Sequence, residues 1–211
     1  MGLTSRKKRP LDRTIEHLRD TRLVVIATEG AETEPQYFRM RMFRGKRVQV
    51  VTLPTSRSHG ERGHGHSSPR AVLDRLGEFR RDSDLHKDDE LWLVIDVDNW
   101  TKEMLSSVTQ ACEQRGYGAA VSNPSFELWL FLHHSDIDTG RQHTSRTLES
   151  DLRRLLGSFN KSRLRDADFS GYVHDAIARA KALDGSSQER WPAKTGTHVY
   201  RLVESILRGA V

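Results

Sequence analysis

Residues 91–100 read LWLVIDVDNW. Five apolar residues, Leu91–Ile95, run without interruption into Asp96, and Asp98 follows two positions on. A run this short, with charge on both sides, reads as a strand buried on both faces. Leu23–Thr28 (LVVIAT) and Val48–Leu53 (VQVVTL) repeat the pattern, and Glu29-Gly30 closes the first of them. Ala119–Val121, after the turn Gly116-Tyr117-Gly118, supplies a short fourth strand. Helical periodicity fills the gaps. Thr33 as N-cap, Gln36 three residues on and Pro35 in the first turn predict a helix to about Phe43. Val72, Leu73, Leu76 and Phe79 form the stripe of a helix over Pro69–Arg80. Met104, Leu105, Val108, Ala111 and Cys112 share one face of a helix over Thr101–Arg115. Asn123 as N-cap and Pro124 at the first position predict a helix over Pro124–His133. The β-α-β-α-β-α-β-α order gives an α/β fold, a mostly parallel four-stranded sheet covered by helices. Helices near Thr147–Leu156, Tyr172–Leu183 and Thr197–Leu207 then make a C-terminal helical extension. The division expected is a basic segment at 1–22, an α/β domain at 23–138 and the extension at 139–211.

Composition narrows the function classes. Hydrophobic residues make up 36% of the 211 positions and charged ones 30%, enough to build a core. No apolar run exceeds five residues, whereas a bilayer span needs about 20, so no membrane role is expected. The basic N-terminus has no apolar stretch behind it, unlike a secretory signal. Cys112 is the single cysteine, which excludes a disulfide framework and a cysteine zinc site within one chain. A cytoplasmic location follows as the expectation, with Cys112 packed in the core. The net charge of +5 is uneven: +4 over 1–22, −4 over 23–138 and +5 over 139–211. Basic flanks suit a polyanion, and an acidic middle suits a cation.

The carboxylates sharpen this. In open parallel sheets ligands bind at the carboxyl ends of the strands. Glu29 and the pair Asp96 and Asp98 all sit there, although 67 residues separate Glu29 from Asp96. Converging carboxylates resist ionisation unless a cation lies between them. A site of oxygen donors suits Mg²⁺ or Mn²⁺, ions that polarise phosphoryl groups. Glu127, one charge in the apolar stretch FELWLFL, calls for a cation or an arginine beside it. Residues 54–69 form a polar loop rich in Gly, Ser and His. Arg57 and His64 in that loop, with Asn123, are the candidate substrate contacts. Tyr37 reads as a packing residue rather than a nucleophile.

A strand ending in Glu-Gly followed by one ending in Asp-x-Asp resembles the Toprim fold of topoisomerases, bacterial primases and OLD-family nucleases. More narrowly, VVIATEGAETEPQYF (24–38), LWLVIDVDNW (91–100) and AVSNPSFELWLFLHH (120–134) resemble the RloB-like, or AbiLii-type, proteins. Pro192–Leu207 extends the likeness more weakly. The resemblance implies an acid–base or metal role for Glu29, a second metal-site glutamate in Glu34, and a metal-binding pair in Asp96 and Asp98. Glu127 joins the metal set by its charge and context. It further implies a Mg²⁺- or Mn²⁺-dependent endonuclease, the effector of an abortive-infection defence pair with an ATPase, cutting tRNA or DNA. The His-rich loop departs from the family pattern. A chain of this length has no room for a strand-passage machine, which argues against topoisomerase chemistry. Three rival readings stand beside the nuclease. They are a non-catalytic nucleic-acid-binding or ATPase-partner module, a primase-type nucleotidyl transferase, and a helix-turn-helix regulator. No Walker A motif or zinc ribbon supports the second, and the third leaves the acidic pairs unexplained. The apolar helices of the extension would permit a homodimer.

Overall fold

A computed structural model describes residues 21–45, 47–55, 68–185 and 189–208. Its centre is one sheet of five strands. They are β1 (Arg22–Thr28), β2 (Val48–Thr52), β3 (Glu90–Asp96), β4 (Gly118–Asn123) and β5 (Gly196–Thr197), in the spatial order β2-β1-β3-β4-β5. The first four are mutually parallel, as the alternation with helices requires. The four-stranded expectation is therefore one strand short. Gly196 and Thr197 pair antiparallel with Asn123 and Ser122, and a two-residue strand has no periodicity to detect in sequence.

Alternate residues of each strand enter opposite cores. Leu23, Val25 and Ala27 face α2 (Pro69–Asp82) and α3 (Lys102–Arg115), packing on Val72, Leu73, Leu76, Leu105, Val108 and Cys112. Val24 and Ile26 face the other way, toward α1 (Thr33–Phe38) and α4 (Phe126–Leu132). The helices expected as an extension lie in this second layer too. They are α5 (Ser145–Leu155), the short α6 (Asp166–Phe169), α7 (Val173–Leu183) and α8 (Val199–Arg208), which bury Leu148, Leu152, Phe169, Ile177 and Leu202 in the same core. Both faces of the sheet are covered, which explains why the strands read as unbroken apolar runs. Among the described residues no helix is long and apolar enough to cross a membrane.

Two predicted helix starts shift. Thr33 does not cap α1: its hydroxyl donates to the Lys161 carbonyl at 3.1 Å, and the helix ends at Phe38, with a separate 3₁₀ turn at Arg41–Phe43. Nor does Asn123 cap a helix. It belongs to β4, the Asn123–Pro124 peptide is cis, and α4 begins at Phe126 behind Ser125. The α2 and α3 starts hold, capped by the Ser68 and Thr101 hydroxyls, which accept from the Ala71 and Met104 amides. Cys112 is buried and burial pushes its thiol up to about 12, as core packing requires.

Candidate metal centre at the strand ends

β1 and β3 run side by side with Thr28 opposite Val94, so Glu29 emerges next to Asp96. The Glu29 amide donates to the Val94 carbonyl at 2.9 Å and continues the ladder by one bond. Its carboxylate then crosses to β3. Oε2 accepts from the Asp96 amide at 3.1 Å and Oε1 from the Trp100 indole at 3.0 Å. Two residues 67 apart in sequence are thus fixed against each other. Arg75 ties down the strand end from the other face, donating to the carbonyls of Thr28 at 2.6 Å and Pro54 at 3.1 Å.

Any side chain at Gly30 would displace the Glu34 carboxylate. The Gly30 amide donates to Glu34 Oε1 at 3.1 Å, and a Cβ there would lie 2.2 Å from Glu34 Oε2. Glu34, in the first turn of α1, is consequently folded back over the strand end and buried. Asp98 follows β3 in a turn whose amides at Val97 and Asp98 reach the Pro124 carbonyl at 3.2 and 3.3 Å. Glu127 enters from the first turn of α4, and its Oε2 accepts from the Ser125 hydroxyl at 2.7 Å and the Ser145 hydroxyl at 3.1 Å.

Glu29, Glu34, Asp96, Asp98 and Glu127 line one cavity of about 320 Å³. Burial, and charge repulsion after it, raises the proton affinity of Asp96, Glu34, Glu29 and Asp98. Burial, with Glu34, Glu29, Glu127 and Asp98 around it, raises Asp96 well above the usual carboxylate range. Glu34 is pushed up to about 7 by burial, with Glu127 and Glu29 adding to it. Glu29 is raised chiefly by burial, against the hydrogen bonds from Asp96 and Trp100. Asp98 is raised by burial and by Glu127.

The donor set consists of carboxylate oxygens, which fits a hard divalent cation. Asp96 Oδ1 is buried with no hydrogen-bond partner, an uncommon state for a native polar atom and one a cation would relieve. The carboxylates of Glu29, Glu34 and Glu127 are instead engaged by protein donors. Among the described residues no three His, Cys, Asp or Glu side chains already form a ligand cluster for a metal.

Asn123 lies outside this cavity. It lines a neighbouring hollow and donates to the Pro192 carbonyl at 2.9 Å. Arg57 and His64 fall outside the described residues. Sequence reasoning missed Ser145 and Lys161, which line the acidic cavity from segments after α4. No local pattern marks either. Trp100 was also missed, although it stands in the same motif as the aspartates.

A family model for RloB-like proteins matches residues 24–206, which takes in every strand but the first residues of β1 and nearly all of α8. Searches of curated proteins and of solved structures find no match. The matched span includes all five carboxylates of the cavity as well as the helices that close it. The chain belongs to the RloB-like protein family.

Proposed function

We propose that the chain is a Toprim-type, metal-dependent phosphodiester hydrolase that cuts nucleic acid, tRNA or DNA. On the same reading it is the effector of an antiviral, abortive-infection defence pair with an ATPase. One observation carries the hydrolase reading: five carboxylates from three separated segments meet at the ends of β1 and β3, around a buried Asp96 oxygen that has no partner. Asp96, Asp98 and Glu34 would hold Mg²⁺ or Mn²⁺, with Glu29 and Glu127 on the same cavity wall. The ion supplies Lewis-acid polarisation of a phosphoryl oxygen and a more acidic bound water.

The chain's own residues do the positioning. Glu29 is oriented at both oxygens by Asp96 and Trp100, and burial raises its proton affinity above that of a free carboxylate, the direction a general base needs. Lys161, whose ammonium pairs with Glu149 at 2.8 Å, and the Ser145 hydroxyl occupy the wall beside Glu127, where a phosphate oxygen would enter. The basic balance of residues 139–211 supplies long-range attraction for the strand.

The test is cleavage of RNA, tRNA included, and of DNA with Mg²⁺, with Mn²⁺ and with EDTA. Cutting is expected with either ion and not with EDTA. Asp96→Asn should lower it about 100-fold or more while circular dichroism stays unchanged. Undiminished cutting by that variant, or no cutting of any substrate, would overturn the reading. A non-catalytic partner module is the second reading, favoured by the hydrogen bonds that already engage Glu29, Glu34 and Glu127. It predicts a stable complex with the ATPase and no metal-dependent cleavage.

A further inference from the structure

Beside the acidic cavity lies a second hollow of about 650 Å³, within the roughly 300–1,000 Å³ of small-ligand sites. Trp100 and Trp191 line it together with Pro192. Both indoles are partly buried and packed on the core beneath α2 and α3, so they are held in place. Trp100 belongs to both sites: its ring walls the hollow while its Nε1 donates to Glu29 at 3.0 Å.

The charged groups of the lining cancel. Lys102 and Arg190 line the hollow with Glu113 and Glu189, and Arg190 Nε pairs with Glu113 at 2.9 Å. A hollow with two indoles and no net charge does not select a phosphate. It fits a flat, neutral ring, because nucleobases stack on aromatic side chains whatever their sequence. Asn123 adds an amide at the wall.

We propose that this hollow is a stacking pocket for one unpaired nucleobase of the strand whose phosphodiester lies at the carboxylates. The proposal rests on the hydrolase reading and narrows its substrate to single-stranded segments, loops or ends. A base inside a duplex would first have to leave its stack, at the cost of pairing and stacking energy.

Binding is measured in EDTA, so it does not depend on whether the protein cuts. Tryptophan fluorescence is titrated with single strands of about ten adenylates, in RNA and DNA form, and with the same strands made abasic. The matching duplex and free AMP complete the series. The intact single strand should quench the signal and bind about 5- to 150-fold more tightly than the abasic strand, the span of one stacking contact. Trp191→Ala should remove that preference, leaving abasic binding unchanged, and Trp191→Phe should restore most of it. Equal binding of intact and abasic strands by the unmodified chain would overturn the pocket, as would binding of neither. Duplex bound as well as single strand, or AMP bound more tightly than the strand, would do the same. Failure of the hydrolase reading would show separately, as absence of cutting with either metal.

Discussion

The Tyr37 hydroxyl and His133 Nε2 share a hydrogen bond of 3.0 Å inside a cage of edge-on aromatic rings. His133 Nδ1 lies 3.0 Å from the Trp129 carbonyl, which can only accept, so the ring proton sits on Nδ1 and Nε2 accepts from the tyrosine. This is a packing role for Tyr37, as expected from its place beside the first motif. Burial pushes His133 down to about 3 from an ordinary value of 6.5. Between those values the unfolded chain binds the extra proton, so this stabilisation is lost as pH falls below about 6.5. Glu34 works in the opposite sense. Raised to about 7 from 4.5, it makes the folded chain bind more protons across that window, and stability falls as pH rises through it. The two slopes partly cancel, and comparison with His133→Gln separates them. In urea unfolding, the stability advantage of the unmodified chain over this variant should shrink by about 2 kcal/mol from pH 7.5 to pH 5. An advantage that stays constant with pH would show that His133 is not held neutral.

At the scale of elements, β3 and β4 meet where Trp92 stands opposite Gly118, and a Cβ on that glycine would lie 2.3 Å from the indole. The ring's Nε1 donates to Glu90 at 2.7 Å, so swinging it aside would break that bond. Gly118→Ala should therefore destabilise the chain by about 1–3 kcal/mol, read as a lowered urea midpoint with an unchanged slope. A neutral result would mean that the strand pair can part without cost. The same elements show what sequence can and cannot carry. β1, β3, α2 and α3 were legible because each states its own burial, the strands as apolar runs and the helices as an apolar stripe. The start of α4 was not, since Asn-Pro also suits the end of a strand, and only pairing with Gly196 decides between them. The packing of α5 on α4, and of α7 and α8 beside β5 and β4, was likewise hidden: a helical stripe says that a face is covered, not by what. For the site, strand-end carboxylates announce themselves by position. Ser145 and Lys161 arrive from loops and a helix start that only the fold brings near.

For the molecule as a whole, an acidic cavity sits in a chain of net charge +5. The net positive charge is the sign a polyanion would meet on the proposed reading, while the local field of five carboxylates works against the fold when no cation is near. A divalent ion that binds the folded chain alone stabilises it by mass action, by about 2.7 kcal/mol at a hundred times its Kd. For a chain of this length that is a rise of about 5–10 °C in the thermal midpoint. Mg²⁺ or Mn²⁺ should produce this rise over a sodium salt of matched ionic strength, which screens charge without bridging it. Asp96→Asn takes one carboxylate away from the buried centre. The variant should have a higher midpoint than the unmodified chain in EDTA, because the cost of holding the Asp96 carboxyl buried among Glu34, Glu29 and Glu127 is removed. It should gain little from the divalent ion. The two effects have opposite signs on one residue, a crossing that a merely structural aspartate would not give. Scanning calorimetry of both proteins in EDTA and in Mg²⁺ reads it directly. Parallel shifts in the two proteins would place the ion elsewhere and leave the strand-end carboxylates without the role assigned to them.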